Sequence, residues 1–230
     1  MSRWANKTAI VIGAGSDLGQ AITFALLKDG IHVTATHIKE EKMDELKTTY
    51  ENMDKKDTLM GKLELKYNIN DIEESFKKDV DILVNNLNIF SMGLSLYDQF
   101  INDAIESMRR RQVEGHIFNI NSAYGHFLPK KSLNDLGQES TCLFNQYVAA
   151  EHANVALTHM VRLRVEGVKP PIRVTSISPS CLRTDISLEL PLLYDFMGPE
   201  DVADTIIYAL TLKPEIEITE LIIQSTGTLP

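Results

Sequence analysis

The chain has 230 residues, of which 43% are hydrophobic and 24% charged, a balance typical of a globular protein that buries a sizeable core. Its net charge of -9 disfavours nucleic-acid binding, because that binding depends on Lys and Arg side chains that neutralise phosphates. The two cysteines, Cys142 and Cys181, lack metal-ligand spacing, and no apolar run is long enough for a signal peptide or a membrane span. We therefore expect a cytoplasmic protein without nucleic-acid, membrane or metal partners.

Short β-branched runs alternate along the chain with longer amphipathic segments. Seven segments are predicted to be strands: Thr8–Ile12, Ile31–Thr36, Lys62–Tyr67, Val80–Val84, His116–Ile120, Ile172–Ile177 and Leu221–Gln224. Six are predicted to be helices: Leu18–Lys28, Glu40–Met53, Ile72–Lys77, Leu96–Arg111, Gln146–Val165 and Pro199–Leu212. This alternation predicts one α/β domain over residues 1–230, with a parallel sheet of about seven strands covered by helices on both faces.

The first predicted strand leads into a glycine-rich turn, Gly13-Ala-Gly-Ser-Asp-Leu-Gly19. A turn of this kind before a helix lets backbone amides approach a pyrophosphate closely. The glycines do not fit the G-x-G-x-x-G spacing, because Leu18 occupies the third glycine position. A tight strand-to-helix connection also needs glycine, so the turn alone predicts either a dinucleotide site or simply a close turn.

Five further stretches occur in a fixed order after this turn: Asp81–Asn86, Gly115–Ser122, Tyr147–Thr158, Arg173–Pro179 and Gly198–Ala203. Together with the turn they resemble the short-chain dehydrogenase/reductase family over essentially the whole chain. The resemblance is nearest to the branch that holds the dehydrogenase/reductase member 11 type and the insect farnesol dehydrogenase-like proteins. It implies a Rossmann-type doubly wound fold, a nicotinamide cofactor and a small-molecule alcohol or carbonyl substrate.

The resemblance also implies catalytic roles for two side chains. Ser122 corresponds to the residue that hydrogen-bonds the substrate oxygen, and Tyr147 to the residue that exchanges a proton with it. In isolation, a strand-end loop cap would be the preferred interpretation of Ser122 and a core aromatic that of Tyr147; their pairing within the family pattern favours the active site. Where the family has a lysine four residues after the tyrosine, this chain has Glu151. That position shares a helix face with Tyr147, so a carboxylate there opposes the phenolate that an ammonium group stabilises.

Cofactor contacts are implied by the same resemblance for Gly13, Ser16, Leu18, Gly19, Asn68, Asn86, Pro179 and Thr184. After the second predicted strand no acid is present to bind ribose hydroxyls; the chain reads Thr36-His-Ile-Lys39. We therefore expect any cofactor binding to favour NADP(H), through His37 or Lys39. A solvated helix start is the alternative interpretation of Lys39.

Other departures from the family pattern weaken the expected cofactor binding. Asp17 replaces a glycine of the turn and brings a carboxylate towards the phosphates, unless it turns outward as a helix cap. The segment Asn85–Asn88 reads Asn-Asn-Leu-Asn where the family has Asn-Asn-Ala-Gly, so Leu87 adds bulk where the backbone should approach the cofactor. Gly93 stands where the family has the asparagine of its proton relay, and Ser180 replaces the glycine that follows Pro179. The short interval between Asn86 and Gly115 predicts that the helix after the fourth strand is shortened or missing.

The interval from Ser122 to Tyr147 is long, and its polar segment from Lys130 to Ser140 predicts an exposed insertion beside the substrate. Lys130 or Lys131 is a candidate substitute for the missing ammonium. Two functions stay open. The first is a weakly active NADP(H)-linked oxidoreductase of alcohols or carbonyls, including isoprenoid alcohols such as farnesol. The second is a catalytically inactive relative that binds a nucleotide or ligand, or that forms an oligomer with an active relative. The predicted helices Leu96–Arg111 and Gln146–Val165 correspond to those through which the family assembles, so we expect a homo-oligomer.

Overall fold

Seven parallel strands form one sheet in the order β3-β2-β1-β4-β5-β6-β7. This computed structural model describes residues 2–53, 60–67, 69–87, 94–128, 138–183 and 196–226. The strands are β1 Thr8–Ile12, β2 His32–Thr36, β3 Leu63–Lys66, β4 Ile82–Asn85, β5 Gly115–Ile120, β6 Ile172–Pro179 and β7 Glu220–Ile223. The helices are α1 Asp17–Lys28, α2 Glu40–Asn52, α3 Ile69–Ser75, α4 Leu94–Arg111, α5 Gln138–Val165 and α6 Pro199–Thr211.

The sheet separates two buried hydrophobic layers, because successive strand residues point to opposite faces. On β1, Ala9 and Val11 face the layer that is closed by α1, α2 and α6, whereas Ile10 and Ile12 face the layer closed by α3, α4 and α5. The central strands β1, β4, β5 and β6 are thus covered on both sides, which explains their largely apolar sequences, whereas the edge strands β3 and β7 are only partly buried. The predicted α/β class, the doubly wound parallel sheet and the seven strands are confirmed.

Helix α5 starts earlier than the sequence pattern indicates, at Gln138 rather than Gln146. The last residues of the predicted insertion, Gln138–Ser140, are therefore helical, and the prediction of an exposed loop is wrong for them. Residues 129–137 lie outside the described part of the chain. The proposed substitutes Lys130 and Lys131 fall in that stretch.

Between β4 and β5 the structure describes one helix, α4, with 18 residues. It buries Tyr97, Phe100 and Ile101 against the sheet. The prediction of a shortened or missing helix therefore applies only to a segment before α4. That segment, residues 88–93, lies outside the described residues and contains Gly93, so this part of the prediction is untested.

The strand order reverses between β1 and β4, which are neighbours in the sheet although β1 is followed in sequence by β2. In open α/β sheets, ligands bind outside the carboxyl ends of the strands at such a switch point. The glycine-rich turn follows β1 at this edge, Asn86 follows β4 and Ser122 follows β5. The topology therefore gathers most of the predicted site residues at one edge.

Candidate active site

The glycine-rich turn packs directly on the residue that follows β4. Gly13 has a φ of +79°, and a Cβ there would lie 2.2 Å from the backbone oxygen of Asn86. A Cβ at Gly19 would lie 2.1 Å from the Gly13 carbonyl oxygen. The Asn86 side-chain amide donates to Ser16 Oγ at 2.9 Å and to the Gly13 carbonyl oxygen at 3.3 Å. Both glycines are thus required by close backbone approach, and Asn86 holds the turn in place.

Helix α1 begins at the end of this turn with Ser16 as its N-cap. Ser16 Oγ accepts a hydrogen bond from the Gly19 backbone N–H at 3.1 Å and donates one to the Gly13 carbonyl oxygen at 2.9 Å. The alternative role of Asp17 as the cap is wrong, because Asp17 is the first helical residue. Asp17 is a half-buried residue that adds an acid to the first turn of α1, the helix end whose unpaired amides attract anions. Leu18 is buried in the core.

Three basic side chains lie around the end of β2 and the start of α2. His37 Nδ1 accepts a hydrogen bond from the Lys39 backbone N–H at 3.0 Å. Burial lowers the pKa of His37, and the charges of Lys39 and Lys42 lower it further. A positive charge for a phosphate must therefore come from Lys39, or from Lys42, whose Nζ is paired with Glu45 Oε2 at 2.6 Å. Sequence reasoning missed Lys42. This residue packs against the glycine-rich turn, because a Cβ added to Gly15 would lie 2.6 Å from the Lys42 Cβ.

Ser122 and Tyr147 meet at the carboxyl end of β5. Ser122 caps a short 3-10 helix, Ala123–Gly125, by accepting a hydrogen bond from the Tyr124 backbone N–H at 3.2 Å. Tyr147 reaches the same place from helix α5, where its hydroxyl is hydrogen-bonded to Ser122. The structure therefore brings together the two side chains to which the sequence assigns substrate contact and proton exchange.

The Tyr147 hydroxyl is held in its protonated form. Burial and, to a smaller extent, the charge of Glu151 raise the pKa of Tyr147 to about 12, whereas the hydrogen bond with Ser122 acts in the opposite direction. The predicted effect of Glu151 on Tyr147 is confirmed in direction, although burial is the larger cause. At neutral pH this tyrosine can donate a proton but is a poor base.

Glu151 lies one turn beyond Tyr147 on α5 and is only 6% exposed. Its burial raises the pKa of its carboxyl group to about 7. Among the described residues, no cationic side chain forms an ion pair with it, and its Oε2 has no hydrogen-bond partner. A buried carboxyl group without a cation is far easier to keep neutral than charged.

Comparison with known proteins identifies the family. A family model for short chain dehydrogenases matches residues 7–191. The chain belongs to this family. Farnesol dehydrogenase of Aedes aegypti is 32% identical, covering 99% of both chains, and dehydrogenase/reductase SDR family member 11 of Bos taurus is 27% identical, covering 98% of both. The solved structure of L-sorbose reductase from Gluconobacter frateurii, complexed with NADPH and L-sorbose, has a TM-score of 0.74 at 15% identity over 98% of both chains, a likeness in fold.

Two further aromatic rings lie beside the Tyr147 ring in this short-chain dehydrogenase, and sequence reasoning did not single them out. Tyr124 meets Phe144 edge-on at 5.3 Å between ring centroids, and both rings lie 6.4 Å from that of Tyr147. Apolar side chains on the flanking segments are exposed: Phe127 at 39%, Leu128 at 72% and Leu143 at 57%. The only sequence signal for this group was the density of aromatic and apolar residues on either side of Ser122 and Tyr147.

The remaining site predictions have different outcomes in this short-chain dehydrogenase. The partly buried Leu87 side chain packs against the hydrophobic layer beneath α3 and α4, and its expected added bulk at the cofactor stays a prediction. Pro179 ends β6, and the exposed Cys181 two residues later lies close enough to Tyr147 to affect its pKa. Asn68 and Thr184 lie outside the described residues.

Two findings bear on other ligand classes. In the described ranges, no group of three or more His, Cys, Asp or Glu side chains is arranged to hold a metal ion. Within the same ranges, none of the helices combines the length and the apolar character that a membrane span requires.

Proposed function

We propose that this short-chain dehydrogenase is an NADP(H)-linked oxidoreductase that reduces carbonyl compounds better than it oxidises alcohols. The observation that carries the proposal is the contact of Ser122 with a protonated Tyr147 beside the glycine-rich turn. A bound nicotinamide supplies the hydride, Ser122 orients the carbonyl oxygen, and Tyr147 donates the proton. Oxidation needs Tyr147 as a base, and a pKa of about 12 makes that direction weak.

The residues at the switch point fit a nicotinamide nucleotide with a 2′-phosphate. The glycine-rich turn and the first amides of α1 suit a pyrophosphate, and Lys39 and Lys42 supply positive charge at the end of β2. Support comes from the solved relative that is complexed with NADPH. Asp17 weakens this binding by placing a carboxylate at the same helix end.

Titration of the purified protein with NADPH and NADH, followed by nicotinamide fluorescence or calorimetry, tests the proposal. We expect tighter binding of NADPH, and Lys39→Ala should weaken NADPH binding while leaving NADH binding unchanged. Lys47→Ala, which removes an exposed charge farther along α2, is the matched control. Absence of binding by either cofactor would contradict the proposal.

Replacing Asp17 is expected to tighten NADPH binding. One unit charge about 4 Å from another in water costs on the order of 1 kcal/mol, so Asp17→Gly should improve the dissociation constant roughly fivefold. Asp17→Asn removes the charge while keeping the side-chain shape, and it should give a similar gain. If neither variant changes the affinity, the carboxylate does not act on the phosphates.

The substrate is proposed to be apolar, because the rings of Tyr124 and Phe144 lie beside that of Tyr147 and the neighbouring segments of the chain expose Phe127, Leu128 and Leu143. An isoprenoid alcohol or aldehyde such as farnesol or farnesal fits this lining. The farnesol dehydrogenase of Aedes aegypti supports this choice.

A catalytically inactive nucleotide or ligand binder is the second candidate function. Glu151 favours it, because a buried carboxyl group stands where the family has a lysine. A panel of aldehydes and alcohols with both cofactors separates the two: binding without turnover over the whole panel would favour the inactive binder. The cytoplasmic location stays a prediction.

A homo-oligomer is also proposed. Apolar side chains follow one exposed face of α5: Ala149, Ala153, Ala156, Met160 and Leu163. Met160 is 54% and Leu163 65% exposed, so an apolar stripe along the helix lacks cover from its own subunit. Light scattering at micromolar concentration should give at least a dimeric mass, and Leu163→Glu should reduce it to that of a monomer. A monomeric mass for the unmodified protein would contradict the proposed homo-oligomer.

A further inference from the structure

The sheet face beneath α4 and α5 changes from apolar to polar as it approaches the active site. Leu83, Ile117 and Val174 lie in its apolar part, and alternate residues continue the same rows towards the carboxyl ends with Asn85, Asn119, Asn121 and Ser176. Helices α4 and α5 bury this end with their own polar side chains. We call the following set the polar layer: Asn85, Tyr97, Asn119, Asn121, Glu151, Asn154 and Thr158.

Hydrogen bonds join the members of the polar layer around Thr158. Asn119 Nδ2 donates to Thr158 Oγ1 at 3.0 Å, and Asn121 Nδ2 donates to Ser176 Oγ at 2.6 Å and to Thr158 Oγ1 at 3.4 Å. Thr158 Oγ1 in turn donates to the Asn154 carbonyl oxygen at 3.0 Å. Each of these contacts ends on a hydroxyl or carbonyl oxygen, and none of them uses the side-chain oxygen of an asparagine.

Most of the buried polar atoms without a partner in this layer are acceptors. Within the described residues, these buried atoms of the polar layer have no hydrogen-bond partner: Glu151 Oε2, Asn119 Oδ1, Asn121 Oδ1, Asn154 Oδ1, Asn85 Oδ1 and Asn85 Nδ2. Only Asn85 Nδ2 among them can donate, because the Tyr97 hydroxyl is hydrogen-bonded to Thr158. An ionised Glu151 adds another acceptor to this surplus, whereas a protonated Glu151 adds a donor. Hydrogen-bond balance therefore favours the neutral acid.

The groups that face Glu151 offer it no positive charge. Tyr147 lies on its own helix, Tyr97 approaches from α4, and Tyr124 and Cys181 lie beside Tyr147 from the 3-10 helix and the segment after β6. The strands present amides and hydroxyls: Asn119, Asn121, Ser122 and Ser176. Because the described residues around Glu151 include no cation, its buried carboxylate can be neutralised there only by binding a proton.

We propose that Glu151, as a neutral carboxylic acid, is the proton donor that restores Tyr147 after each carbonyl reduction. The proposal rests on the proposed function. Reduction adds a hydride to the carbonyl carbon, and the Tyr147 O–H bond breaks as the product O–H bond forms, which leaves a phenolate. The Glu151 O–H bond then breaks as the Tyr147 O–H bond forms again, directly or through one water molecule. The Glu151 carboxylate finally takes a proton from solvent.

The direction of this transfer follows from the two acidities. The pKa of Glu151 is about 7 and that of Tyr147 about 12, so the proton moves to the stronger base, the phenolate. The donor is present below pH 7 and is lost as Glu151 ionises above it. Repeated reduction should therefore be faster on the acid side of neutrality, while the first turnover, which uses the proton already on Tyr147, should not depend on Glu151.

Glu151→Gln tests the proposal, because the amide has the shape of the neutral acid and cannot release a proton. With NADPH and an apolar aldehyde such as farnesal, the variant should show a first turnover at the wild-type rate. Steady-state kcat should then fall on the order of 10²-fold, and the decline of kcat above pH 7 should vanish, with KM for the aldehyde unchanged. An unchanged steady-state rate and pH profile would overturn the proposal.

Two further measurements distinguish the alternatives. Ultraviolet difference titration of the protein against its Tyr147→Phe variant reports phenolate formation without turnover, and in Glu151→Gln the Tyr147 pKa should fall because a nearby negative charge is gone. If neither the unmodified protein nor the variant reduces any carbonyl although this coupling is present, the proposed function fails and takes the role of Glu151 as proton donor with it, while the electrostatic coupling of the two groups stands. Replacing Na⁺ by tetramethylammonium at constant ionic strength should not change the Tm. If this replacement lowered the Tm of the unmodified protein but not that of Glu151→Gln, a metal ion would be neutralising Glu151, and the proposal would be overturned.

Discussion

Glu151→Lys is expected to raise NADP-linked oxidation of alcohols by about 10²- to 10⁴-fold, the usual worth of a positioned proton-transfer group. An ammonium group one helical turn from Tyr147 stabilises the phenolate, whereas the present carboxyl group and burial together raise the pKa of Tyr147 to about 12. NADPH formation with a broad alcohol panel measures the gain. Adding Tyr147→Phe to the lysine variant should abolish it.

The surroundings of residue 151 can accept a lysine. The unpartnered oxygens of the polar layer are hydrogen-bond acceptors, which an ammonium group satisfies better than a carboxylate does. Glu151→Met, similar in length but uncharged, is the matched control and should give no comparable gain. Rapid alcohol oxidation by the unmodified protein would refute this explanation of Glu151. A folded lysine variant that binds NADP⁺ but stays inactive would place the deficiency in the Asn85–Asn88 segment or the short interval before α4.

The sequence predicted the framework because its signals are local. Alternating β-branched runs and amphipathic stretches located all seven strands to within a few residues, and β1 was predicted with its observed bounds, Thr8–Ile12. The family pattern correctly paired Ser122 with Tyr147, since the end of β5 and one face of α5 are both defined by short motifs. The helix periodicity also placed Glu151 beside Tyr147, so the direction of its effect was predictable.

What the sequence did not predict depends on contacts between distant segments. Burial proved a larger influence on Tyr147 than Glu151 is, and the degree of burial follows from how α5 packs on the 3-10 helix. The polar layer joins Tyr97 of α4 to Glu151 of α5 and to asparagines of β4 and β5, groups that no spacing rule relates. Lys42 escaped notice because only the close approach of α2 to Gly15 places it at the turn.

Glu151 is also expected to make stability depend on pH. Its pKa in the folded protein is about 7, above the ordinary value of 4.5, so the folded state binds this proton more tightly than the unfolded state does. The stabilisation is fully present below pH 4.5 and is lost as the pH rises through 7. At 1.36 kcal/mol for each pKa unit, the loss is about 3 kcal/mol.

Glu151→Gln removes this titration, so the variant and the unmodified protein should have similar stability at pH 5 and diverge at pH 8. At pH 8 the variant should be more stable by about 3 kcal/mol, which corresponds to roughly 5–10 °C in Tm for a domain of this size. Urea and thermal unfolding at both pH values, followed by circular dichroism, measure the difference. Glu166→Gln, at an exposed position just beyond α5, should change stability little at either pH. If Glu151→Gln gave the same difference at pH 5 and pH 8, the carboxyl group would not titrate between them, and both the neutral acid and its role as proton donor would be excluded.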